Sequence, residues 1–420
     1  MLLRLLMLMG FLLSASFVQA AEFIVEAKDG ALAKTLTMAK SGDTLWLLAG
    51  NHNGSFVIDI SIRIEGEAGA KIIGPGIGSP IIVTAPNVTI KGFEISGSGS
   101  SHETIDSGVR LLKGAENTIV ENNKIIGNLV GVDIHGAKNA IVRNNIIIGR
   151  RDKRMNDRGN GIYIWNSDGA KVIGNDVRYG RDGIFVTTSR NNQYSGNRFA
   201  DLRFGIHYMY VHDTIVEGNI SINNHLGYAV MFSNSVIIRN NFSKNDRDYG
   251  IMLNYTNKSI VENNIIEQVK DKCVFIYNSH KNSIKNNQFE KCGVGIHFTA
   301  GSERNNISEN AFLFNRTQVK YVGSKWVDWS ENGVGNFWSD HQGFDLNADG
   351  IADNIYRPND AMDRILWTKP AAKSLMGSPA VQLIKWSQAT FPALLPGGVI
   401  DKAPLMQPIE LTPPKWEATQ

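Results

Sequence analysis

Cysteine is nearly missing: 420 residues hold two, Cys273 and Cys292. That excludes a disulfide-built scaffold and the Cys-rich clusters of structural zinc sites. Charge of one sign is missing too. Forty-three Lys and Arg face 40 Asp and Glu, for a net charge of +3; that balance argues neither for nor against a nucleic-acid partner, no long basic tract occurs, and no nucleic acid is among the expected partners. After residue 20 no stretch reaches about 18 apolar residues, the length that would suggest a membrane span. Helical periodicity is absent from the middle of the chain, which excludes a helical solenoid there.

Met1–Ala20 differs in composition. Arg4 begins it, "LLMLMGFLLSASF" forms an apolar core, and Val18 and Ala20 stand at −3 and −1 of a cleavage site. This predicts a signal peptide at 1–20, with a mature chain outside the cytoplasm. Export permits a disulfide. However, Cys273 opens one repeat and Cys292 precedes the opening of the next, so buried thiols are expected and pairing is the alternative.

What is abundant is Asn and Gly in register. Asn122, Asn144, Asn175, Asn197, Asn219, Asn240, Asn263, Asn286 and Asn310 precede short β-rich runs, mostly about 22 residues apart. A second repeat has the form Gly-apolar-x-apolar-x, as in "GIHYM", "GYAVM" and "GIMLN". A period near 22 with alternating β-branched runs predicts an all-β, right-handed parallel β-helix over 21–322, with Asn side chains stacked from coil to coil. One gap of 31 residues places an insert at Gly149–Asn160, "GRRDKRMNDRGN". It is expected to protrude, either as a solvated loop or as a face for an acidic partner.

Within each Gly-led strand, the second and fourth positions are apolar and should face inward, leaving the third and fifth outward. The outward set then contains His207 and Met209 on one strand, Met231 on the next and Met252 on the one after, with His212 at the adjoining turn. Outward-facing Met is unusual, and thioether with imidazole suits Cu(I). The plainer alternative is that these residues pack beneath a loop or a partner and bind nothing. Asp133, His135 and Arg110 are the nearest thing to an acid/base set for a uronate-polymer lyase or epimerase, and ordinary solvated surface is the preferred reading of that trio.

Residues 323–420 leave the repeat. Asp345, Asn347, Asp349 and Asp353 have the donor spacing of a shortened calcium loop, with Tyr356 where a full loop would carry Glu. An Asx-turn loop held by its own hydrogen bonds is the alternative. Ser378–Ala393 predicts an amphipathic helix ended at Pro396, and the Pro-rich tail from Lys402 suits draping over a partner.

"NGVGNFWSDHQGFDLNADGIADNIYRP" (332–358), "DRILW" (363–367) and "SPAVQLIKWSQATFPALLPGGVIDKAPLM" (378–406) resemble the NosD family, as do "GIHYMY" and "GYAVMFSNS". The resemblance covers essentially the whole mature chain. It implies a non-enzymatic periplasmic factor for maturation of nitrous-oxide reductase (NosZ). Such a factor takes Cu(I) transiently from the lipoprotein chaperone NosL and is held at the membrane by an ABC transporter of membrane subunit NosY and ATPase NosF. Its task would be assembly of the copper–sulfide centre.

Overall fold

The computed structural model describes residues 20–299, 301–323, 325–359, 361–375, 378–391 and 397–414. Apart from Ala20, the expected signal peptide lies outside them, as does Pro396.

Each coil contributes three short strands to three parallel sheets of 13, 12 and 13 strands. The chain is therefore all-β over most of its length, as a parallel β-helix. Alternation is the cause. Along Phe204–His212, Ile206 and Tyr208 are buried in the lumen, and on the next two rungs Tyr228, Val230, Ile251 and Leu253 take the equivalent places. Burying one apolar stack per face down the solenoid gives one continuous core. The Gly that opens these strands is required by packing. A Cβ on Gly205 would stand 2.7 Å from the carbonyl oxygen of Gly227 on the next rung.

The Asn repeat resolves into two columns. Asn122, Asn144, Asn240, Asn263 and Asn286 adopt left-handed backbone conformations at the corner. The next residue in each case, Asn123, Asn145, Asn241, Asn264 or Asn287, is buried, and it joins Asn175, Asn197, Asn219 and Asn310 in a ladder of amide-to-amide bonds. Expecting one stacked column through Asn122 and its equivalents is thus corrected by one residue wherever the sequence reads Asn-Asn. The first Asn supplies the turn and the second supplies the bonds. The ladder continues to Asn336, whose backbone N–H donates to Asp401 at 2.7 Å. The third sheet likewise runs on to Phe337–Trp338, past the expected limit at 322.

Cys273 and Cys292 are disulfide-bonded with Cα atoms 5.7 Å apart, which corrects the expectation of buried thiols. They stand 19 residues apart in a solenoid whose coil takes about 22, so the chain nearly completes a turn between them. Different repeat positions are thereby brought side by side one rung apart.

The insert does not protrude freely either. Arg150 donates from Nη2 to the carbonyls of Ser98 and Gly99 and from Nε to that of Gly127. Arg151 lies over the Tyr179 ring, and Arg158 binds the carbonyls of Lys153 and Arg151. Arg150, Arg151 and Arg158 thus act as staples, while Lys153 and Arg154 are exposed as a solvated loop would have them.

Among the described residues three α-helices accompany the solenoid. Helix α1 (Ala31–Met38) lies at its N-terminal end and buries Leu32; nothing in the repeat pattern announced it. Helices α2 (Ala361–Thr368) and α3 (Pro379–Thr390) belong to the C-terminal segment, whose strand Gly398–Ile400 pairs with Trp326–Asp328. The α3 start is as expected, with Ser378 Oγ accepting from the Val381 N–H. Its apolar residues do not turn inward together: Val381 is buried, while Leu383, Ile384, Trp386 and Phe391 are exposed.

Candidate metal strip and its surroundings

The second sheet carries the outward positions. Pairing is in register from rung to rung, so each position forms a column with neighbours about 4.8 Å apart. Thr187, Met209, Met231, Asn254 and Tyr277 form one column. Phe185, His207, Ala229, Met252 and Phe275 form the column beside it. Met209 and Met231 are therefore direct partners. His207 precedes Met209 by two residues on the same face, and Met252 is diagonal to Met231 and two rungs from His207. His212 is not brought to this face. It lies beyond the corner made at Tyr210 (φ 58°), and its Nδ1 accepts from the Asn234 N–H at 3.0 Å.

His207 is outward but covered, with 8% of its surface exposed. Phe185 and Phe204 flank the ring at centroid distances of 4.8 and 5.0 Å. Its Nδ1 lies 3.1 Å from Asp182 Oδ2. An Arg203 nitrogen stands 3.4 Å from the same Nδ1, but a ring nitrogen cannot donate to a carboxylate and accept from a guanidinium at once. The shorter, charge-assisted contact decides, so Nδ1 carries a proton, and in the neutral ring Nε2 is the nitrogen with a free lone pair. Asp182 is itself fully buried and bound by Arg203 through two bonds of 2.8 and 2.6 Å. Burial would raise its pKa, but bonds from His207 and Arg203 outweigh burial and hold it below the ordinary carboxylate value. A carboxylate that fixes the tautomer of an imidazole is the usual support of a metal-binding His. Asp182 and Arg203 were missed in the sequence because 25 and 4 residues separate them from His207. The one available signal was Asp just before a Gly-led strand.

This donor set fits a soft, monovalent ion: one imidazole nitrogen and in-register thioethers, with both thiols consumed by the disulfide. Among the described residues no cluster of three or more His, Cys, Asp or Glu is placed to hold a metal. The Asp345–Asp353 loop accords with that. Asp345 Oδ2 accepts from the Gly350 N–H, Asn347 Oδ1 from that of Asp349, Asp349 Oδ1 from that of Ile351 and Asp353 Oδ2 from that of Leu346. The loop's oxygens are engaged in Asx-type turns.

Three rungs before Met209, Asp133 and His135 share a strand. Asp133 is fully buried and accepts from Arg110 Nε at 3.1 Å. Burial, only partly offset by Arg110, pushes its carboxyl up to about 7. His135 stacks on Trp165 and is pushed down by burial and then by Arg110. Asp133 Oδ1 and His135 Nδ1 are 4.0 Å apart, and neither has a hydrogen-bond partner.

A parallel β-helix of this kind is a common scaffold. The A-module of the mannuronan C-5 epimerase AlgE6 from Azotobacter vinelandii superposes with TM-score 0.58 over 70% of this chain and 90% of that one, at 12% identity. That likeness shows the fold alone. Sequence relationship is more specific: a family model described as periplasmic copper-binding protein (NosD) matches residues 149–343, which contain His207, Met209, Met231 and Met252. The probable ABC transporter binding protein NosD of Stutzerimonas stutzeri is 40% identical over 388 residues, covering 89% of each chain. Its counterpart in Pseudomonas aeruginosa is 38% identical, covering 89% of this chain and 90% of the other. The chain belongs to the NosD family. No helix of the described residues is long and apolar enough to cross a membrane.

Proposed function

We propose that this chain is a periplasmic, non-enzymatic carrier of Cu(I) in the maturation of nitrous-oxide reductase. Copper is cargo: it arrives from the chaperone NosL, rests on His207 Nε2, Met209 and Met231 with Met252 at the edge, and passes toward the copper–sulfide centre of NosZ. His212 is left out because its Nδ1 is engaged around the corner. The observation that carries the reading is the pairing of Met209 with Met231 beside an imidazole whose other nitrogen is held by Asp182. Family membership supports the copper role, and the relatives' name supports attachment to an ABC transporter; NosY with NosF is the transporter proposed here. The exposed Leu383, Ile384, Trp386 and Phe391 of the C-terminal segment support docking there. Cu(I) titration against a chromophoric chelator tests the site. Met209→Ala/Met231→Ala should weaken binding at least about tenfold, a loss of about 1.4 kcal/mol, and unchanged affinity rejects the assignment. Calcium at Asp345, Asn347, Asp349 and Asp353 would replace the loop's internal bonds and raise the melting temperature, so identical melting in calcium and in chelator removes it.

The second reading, a uronate-polymer lyase or epimerase, is favoured by the neutral-range carboxyl of Asp133 beside His135. Formation of unsaturated or epimerised products from alginate or polygalacturonate would establish it in place of the carrier.

A further inference from the structure

Beside the metal strip, the insert and the loop around His102 enclose a cavity of about 260 Å³ that none of the copper chemistry uses. Arg158, Asn160, Tyr163, Arg181, Phe185 and His102 line it. We propose that it binds a small oxyanion carrying one proton of its own, such as hydrogen phosphate or hydrogen carbonate.

The walls are built. Arg150 ties the insert to Ser98, Gly99 and Gly127, and His102 Nε2 stands 3.1 Å from the Asp157 carbonyl, which joins the two loops. The lining mixes apolar residues such as Leu129 and Val130 with polar groups, and the polar groups are incompletely paired. Arg181 Nε is buried with no hydrogen-bond partner. Its nearest carboxylate, Asp182, is 3.7 Å away, too far for a hydrogen bond and already held by Arg203 and His207. Asn160 is 8% exposed, and its Oδ1 is buried with no donor. The Tyr163 ring stacks on Phe185 with its planes 8° apart, and no hydrogen bond to its hydroxyl is found among the described residues.

Leaving such atoms unpaired costs about 1–3 kcal/mol each, so the buried Nε of Arg181, whose side chain is otherwise 26% exposed, and the buried Oδ1 of Asn160, on two residues that line one cavity, call for a complement. The charge sets its sign: Arg158 and Arg181 line the cavity, and no carboxylate is among its lining residues. The hydrogen-bonding inventory sets its form. Arg181 and Tyr163 donate, so the ligand accepts; Asn160 Oδ1 accepts, so the ligand also donates. The volume lies below the roughly 300–1,000 Å³ of sites for drug-sized ligands, which suits an ion. Asp182 touches both this cavity's Arg181 and the strip's His207, so the anion would sit one carboxylate away from the copper ligands.

The test is calorimetric titration of the mature chain with inorganic phosphate and with sulfate, in wild type, Arg181→Gln and Arg158→Gln. Saturable phosphate binding is expected, weakened at least about tenfold by Arg181→Gln, with sulfate at least about tenfold weaker than phosphate because it offers no proton to Asn160. Circular dichroism checks the fold of each variant, and Arg158→Gln, which leaves Asp182 untouched, should weaken phosphate several-fold. Absence of saturable phosphate binding, equal affinity in wild type and both folded variants, or sulfate binding as tight as phosphate overturns the proposal. None of these outcomes depends on whether copper binds.

Discussion

Replacing Asn219 by Ala should destabilise this solenoid far more than the same change at Asn240, although both lie in the same repeat signature. The Asn219 amide makes four bonds. Oδ1 accepts from the Asn197 N–H and Nδ2, both at 3.0 Å, while Nδ2 donates to the Tyr194 carbonyl at 2.9 Å and to Asn241 Oδ1 at 3.0 Å. Asn219 is fully buried, so no water takes over the orphaned groups. At about 1 kcal/mol for each bond, the loss comes to roughly 3–5 kcal/mol. Asn240 is exposed with φ 55°, and its contribution is conformational. Ala there costs about 1 kcal/mol, and Gly, which adopts the conformation freely, should cost little. Urea unfolding followed by circular dichroism reads the difference. Hydrogen exchange should localise the Asn219 defect to neighbouring coils, since each coil touches only its neighbours. Equal losses for Asn219→Ala and Asn240→Ala, or rescue of Asn219 by Gly, would refute the two-column account.

Reducing the Cys273–Cys292 bond, which closes a separation of 19 residues, should lower unfolding free energy by about 3 kcal/mol, read by urea unfolding with and without reductant; an unchanged midpoint contradicts it. Burial pushes the Asp133 carboxyl up to about 7 in the folded chain against an ordinary 3.8 when unfolded, so the stability its protonated form contributes is fully present below about pH 4 and lost as pH rises through 7. Wild type should therefore lose up to about 4 kcal/mol relative to Asp133→Asn between pH 4 and 8, at about 1.36 kcal/mol per unit of pH; parallel stability profiles would show that the carboxyl is already ionised.

Much of the scaffold was legible because alternation and period are local. Ile206 and Tyr208 point inward for the same reason in any strand of this pattern, and with them follow the outward placement of His207 and Met209 and the stacking of Met209 on Met231. The fixed rung spacing turns a sequence separation of 22 into adjacency. Less legible was anything set by closing a coil. In an Asn-Asn pair both residues suit the corner, and only the stacked coil above supplies partners for the second. The thiols looked remote by repeat position until the turn brought them together. Arg150 looked solvated until a loop 50 residues earlier offered its carbonyls.

The sequence by itself determined the β-helix, its inside and its outside, because side-chain direction along a strand depends on neighbours two residues away. Tertiary structure alone decided that Asp182 fixes the His207 tautomer, that His212 turns to another face, and that Arg181 Nε and Asn160 Oδ1, on two residues lining one cavity, are left without hydrogen-bond partners. Those contacts join coils and loops about 20 or more residues apart, and hydrogen-bond partners at that range are set by packing.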